Sequence, residues 1–203
     1  MLGWLAAIAL AAGAAPEPPA SVCASALDAL PAQPFIVKAG KNSSTEFVLD
    51  THGRCLHVDD HDEPALLIRL EPSAQPMNVK VISVSGKEST LPARIVLLDE
   101  HFGEVRSYPF ERFVKRGMNY STTVFLEPAT TVRYLLARPD HEWVGKQNQL
   151  TQGNRWTAFW ATPTVMGTIS NGNEVKRSVP FTVFGTVRLE LEEETRLIDP
   201  AKR

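Results

Sequence analysis

From Gln33 onward the chain carries short runs in which apolar side chains recur at every second position, with turn-forming residues between one run and the next. Phe47/Leu49, Leu66/Ile68/Leu70, Met77/Val79/Val81, Ile95/Leu97, Val124/Leu126 and Val132/Tyr134/Leu136 each alternate with an often polar opposite face. A period of two is that of a half-buried antiparallel strand. The last run is the longest: Phe181, Val183, Val187, Leu189 and Leu191 share one parity, and Thr182, Thr186, Arg188 and Glu190 the other. Gly185 falls on the apolar parity, where a glycine marks a bulge or a close approach of another backbone.

Turn chemistry lies between the runs, in residues 39–42, 50–53, 59–64, 85–86, 117–119 and 170–173. Asn171-Gly172 is the strongest hairpin dipeptide of the chain and predicts a turn at that point. About nine or ten short strands at this spacing predict an all-β fold, an antiparallel sandwich, with helix confined to small pieces. The expected pieces are a turn at 25–30 and short helices at 110–115 and 154–161.

The flanks differ. Residues 1–14 hold no charged side chain and are too short an apolar run to span a bilayer, as in a signal peptide, with Ala12-Gly13-Ala14 as a small-x-small cleavage site. A Pro-rich extended segment follows over 15–32, then the sandwich over 33–191, and a solvated tail over 192–203, where alternation stops. The expected location is therefore the periplasm. Cys23 and Cys55 leave three states open: a disulfide, which an oxidising compartment permits, lipidation of Cys23, or two free thiols. Only lipidation would attach the protein to a membrane.

Composition then narrows the function. With 21 basic and 23 acidic residues the chain lacks the positive excess that nucleic acid requires. It has no G-x-S-x-G elbow, H-E-x-x-H pair, phosphate loop or C-x-x-C, so no catalytic residue and no cofactor is assigned. The densest polar run is 57–63, where six of seven side chains could ligate a metal. On one continuous strand His57, Asp59 and His61 would share a face, the basis for a metal-dependent hydrolase as a third reading; a solvated hairpin turn ending at Pro64 is the preferred account of the run. His52, His101 and His141 lie in polar turns and are expected to be exposed loop residues.

A binding surface is better supplied. Trp143, Trp156 and Trp160 lie in a stretch rich in amides, among them Gln149 and Asn154, and aromatic faces with neighbouring amides suit an oligosaccharide. The competing reading places Trp156 and Trp160 at i and i+4 on the core face of a short helix.

The segment ARIVLLDEHF at 93–102, VRYLL at 132–136, the 150–160 stretch and GTVRL at 185–189, together with Cys23, Leu27 and Leu30-Pro31, resemble the maltose operon periplasmic protein family (MalM-like proteins) over roughly residues 23–191. This resemblance implies a non-enzymatic envelope protein associated with carbohydrate transport, with an outer-membrane porin or another envelope protein as partner. It supplies no catalytic residue. A structural or adhesive envelope module without a small-molecule ligand is the alternative.

Overall fold

The computed structural model describes residues 23–35, 43–50, 54–58, 60–71, 73, 75–128, 130–161 and 166–192. The segment 1–14 expected to be a signal peptide, the prolines at 16–19, the expected turn residues 39–42 and 51–53 with His52, Asp59 and the residues from 193 lie outside the described residues.

Among the described residues the strands are β1 Gln33–Phe35, β2 Ser44–Leu49, β3 Cys55–Val58, β4 His61–Pro64, β5 Leu66–Leu70, β6 Met77–Val84, β7 Ala93–Leu98, β8 Glu104–Tyr108, β9 Val114–Arg116, β10 Asn119–Leu126, β11 Tyr134–Pro139, β12 Gln147–Ala161, β13 Met166–Pro180 and β14 Gly185–Glu192. Two five-stranded sheets form, in the orders β1-β5-β11-β7-β8 and β2-β14-β6-β10-β9. All their pairings are antiparallel except β1 on β5. Phe35, Ile68, Ile95, Leu97 and Leu135 of the first sheet and Phe47, Val79, Val81, Val124, Val187 and Leu189 of the second belong to one buried cluster. The fold is thus an all-β sandwich.

The two sheets use the alternation differently. In β2 and β10 the outer positions are largely exposed, as expected of a solvated face. In the first sheet both parities are buried: Leu67 beside Leu66 and Ile68, and Val96 and Leu98 beside Ile95 and Leu97. The second parity packs with Leu30, Leu56, Ala65 and Leu136 in a separate apolar cluster, covered by the N-terminal segment and the β3–β4 hairpin. Near-continuous runs such as LLIRL and ARIVLL are what two-sided burial requires. Each such side chain contributes roughly 1.5–3 kcal/mol on burial.

The cover is held by a disulfide. Cys23 and Cys55 are bonded, with Cα atoms 4.7 Å apart, and Ala24 makes a parallel bridge to Leu56. Of the three states open to the cysteines this is the one observed, and a bonded sulfur cannot carry a lipid. Leu27–Ala29 forms a 3₁₀ turn inside the expected 25–30 interval.

Three local expectations are corrected. The helix expected at 110–115 is a 3₁₀ turn at Phe110–Arg112 followed by β9. The helix expected at 154–161 is strand, because β12 pairs with β13 without interruption from Gln147↔Pro180 to Ala161↔Met166. Eight residues are too few for a stable isolated helix, whereas Trp, Phe and Thr favour a pleated pair. Accordingly Asn171 and Gly172 are not a turn; they lie within β13, opposite Trp156 and Arg155.

Gly185 fulfils its expectation through close approach. A Cβ on it would stand 2.7 Å from the Leu91 Cβ, and its φ of +156° is one that other residues rarely adopt. The pairing of β14 with β2 runs in continuous register from Gly185↔Leu49, so no bulge is involved.

Candidate functional site

The polar run at 57–63 folds as the β3–β4 hairpin, with Asp60 at φ 64° in its turn. Aspartate tolerates the left-handed region because its short side chain can bond locally. The turn separates His57 from His61. His57 pairs with Asp62 on the outer side of the hairpin, its Nδ1 2.8 Å from the Asp62 carboxylate. His61 and Glu63 have the opposite parity, that of Leu56, and Glu63 is only 2% exposed. His57 and His61 therefore do not converge, and Asp59 is outside the described residues.

What converges on Glu63 comes from β11 and the turn after it. The Arg138 guanidinium donates to Glu63 Oε1 at 2.9 Å. His141 Nε2 stands 2.6 Å from Oε2, and His61 Nε2 is 3.9 Å from the same oxygen. The two imidazoles meet edge to face, centroids 5.3 Å apart. A buried carboxylate without partners would be prohibitively costly, and Arg138 with His141 supplies them.

A second buried carboxylate fixes the turn. Asp140, 1% exposed, accepts from Arg94 at 3.1 Å and from the Phe110 backbone N–H at 2.9 Å. Its own N–H donates to Pro92 O, and its carbonyl accepts from the Trp143 N–H. His141, exposed and in a turn as expected, is thereby placed beside the hairpin. Arg138, Glu63 and His141 escaped the sequence reading as a group, because 75 and 78 residues separate Glu63 from its two partners. The available signal was Arg138 and Asp140 closing an otherwise apolar strand.

The proposed sugar residues are dispersed. Trp143 packs edge-on against Phe110 and Phe181 at 5.4 and 5.9 Å, and the Lys146 ammonium lies 4.7 Å from its ring centroid. That face is occupied by a cation. Asn148 is buried, accepting from the Tyr120 hydroxyl at 2.7 Å and donating to Thr90 Oγ1 at 3.0 Å. Burial raises the Tyr120 phenol above its ordinary pKa, which keeps the donor protonated. The exposed Gln149 carbonyl accepts from the Lys115 ammonium. Asn154, Trp156 and Trp160 lie further along β12, opposite Asn173, Asn171 and Gly167. At about 3.3 Å per residue, Trp156 and Trp160 lie roughly 30 and 43 Å of strand beyond the start of β12, well away from Trp143.

The β12–β13 ribbon is the second notable surface. Leu150 and Val179 are buried at its base, whereas Phe159 and Met166 near its far end are 81% and 85% exposed. Among the described residues neither strand joins another sheet. A cleft of about 480 Å³ opens elsewhere, lined by Gln33, Glu46, Phe47, Asp50 and Arg54 among others, and brings no histidine or nucleophile together. No helix among the described residues is long and apolar enough to cross a membrane. No family profile, curated protein or solved structure matches this chain.

Proposed function

We propose that this is an exported, non-enzymatic envelope protein that works by protein contact through the β12–β13 ribbon, in the carbohydrate-transport setting that the MalM-like resemblance implies. The observation that carries this reading is the far half of the ribbon, where Phe159 and Met166 are exposed on strands that, among the described residues, pair only with each other. A two-stranded ribbon gains little from pairing alone, and apolar groups at its end gain burial only against a partner. The apolar N-terminal run supports export, and the Cys23–Cys55 bond suits an oxidising compartment such as the periplasm. The partner best suited to this reading is an outer-membrane porin or a neighbouring envelope protein.

Replacing residues 155–172 with a two-residue turn tests it. Because the buried residues at the base are retained, the shortened chain is expected to unfold at the wild-type denaturant midpoint but to lose co-isolation with a carbohydrate porin of its own envelope. Unchanged co-isolation would overturn the ribbon's role. A sugar site is the second reading, favoured by the amides and tryptophans that share β12. Maltodextrin titration by calorimetry, with Trp156→Ala and Trp143→Ala compared, should give heat that depends on Trp156 and not on Trp143; no heat would remove this reading.

A further inference from the structure

We infer that His61, Glu63 and His141 form a binding site for one divalent transition-metal ion of the zinc class, joining the β3–β4 hairpin to the end of β11. Each offers one ligand atom, and the three lie within 4.8 Å of one another. Two imidazole nitrogens and one carboxylate oxygen suit zinc, which takes both at about 2.0–2.2 Å. Bonds of that length at a tetrahedral angle set the ligand atoms roughly 3.3 Å apart. The observed separations bracket this value: 2.6 Å from His141 Nε2 to Glu63 Oε2, and 3.9 Å from His61 Nε2 to the same oxygen. Both histidines are exposed at the surface, while Glu63 is buried and held by Arg138.

The surroundings are those of a ligating carboxylate. Arg138 engages Oε1 and leaves Oε2 for a monodentate bond, the kind of outer hydrogen bond that orients metal ligands. The 2.6 Å contact between His141 Nε2 and Glu63 Oε2 requires a proton between them, and a metal ion competes for that proton's place. Three protein ligands leave a fourth position for water or an anion, and Arg138 nearby favours an anion. The outward pair His57 and Asp62 takes no part.

Calorimetric titration of the purified, chelator-treated chain with Zn²⁺ tests this. The expected result is a saturable site of one ion per chain, weakened at least about tenfold in His61→Ala and in His141→Ala and unchanged in His57→Ala. The two exposed histidines can be replaced without opening the core, and circular dichroism checks the fold of each variant. Absence of a one-to-one site would overturn the inference. So would wild-type affinity in His61→Ala and His141→Ala, or an equal loss in His57→Ala.

Discussion

Gly185 and Glu63 stand at opposite ends of what a single residue reveals. Gly185 interrupts an apolar parity, and the interruption itself signals a bulge or a close approach. The structure supplies the neighbour, Leu91, with a Cβ clash at 2.7 Å. Gly185→Ala is therefore expected to cost roughly 1–3 kcal/mol, read as a lower urea midpoint at unchanged slope. Glu63 carries no such mark. It sits in a run of charged residues and reads as solvated, yet hairpin parity buries it with Arg138 and His141. Glu63→Gln keeps the shape and removes the charge, leaving Arg138 without its ionic partner. A loss of about 2 kcal/mol is expected, below that of a fully enclosed pair because Arg138 is 30% exposed. Equilibrium unfolding of this variant beside His57→Gln checks it, since His57 lies outward and should leave stability within about 0.5 kcal/mol.

Among elements, the second sheet was the most legible, because its solvated face leaves mostly polar residues between the buried ones, as in β2 and β14. β5, β7 and β11 were legible as strands but not as doubly covered ones; that needs the knowledge that Leu30 and Leu56 return across their outer face. The β12–β13 ribbon was least legible. Its aromatic residues at helical spacing and its Asn-Gly pair satisfied local rules that cross-strand pairing overrode. The hairpin cover depends on the Cys23–Cys55 bond, which closes a loop with a sequence separation of 32. On the chain-entropy account the bond contributes roughly 3–4 kcal/mol. A Cys23→Ala/Cys55→Ala double variant should lose about that much. Hydrogen exchange should quicken first in 23–30 and 55–64, while β6 and β14, central in the second sheet, keep their protection. Uniform quickening across both sheets would show that the cover is not a separate unit.

At the scale of the whole molecule, a sandwich with both main sheets satisfied has little reason to carry two strands of 15 residues that, among the described residues, pair only with each other. The core explains the body, the disulfide and Glu63 explain the cover, and neither explains Phe159 and Met166 in water. The proposed contact function would account for them, and the working part of the protein would then be the part least tied to its core. Trp156, Trp160 and Asn154 belong to the stretch singled out from composition, but their place on a two-stranded ribbon depends on pairing across a hairpin that the helical spacing and the Asn-Gly pair concealed. A photo-crosslinking residue at position 159 in cells producing the protein tests this most directly, with one at the exposed Val48 on the second sheet as reference. The account predicts one discrete adduct with an envelope protein of carbohydrate transport from position 159 and none from position 48; no adduct from 159, or the same products from both, would contradict it.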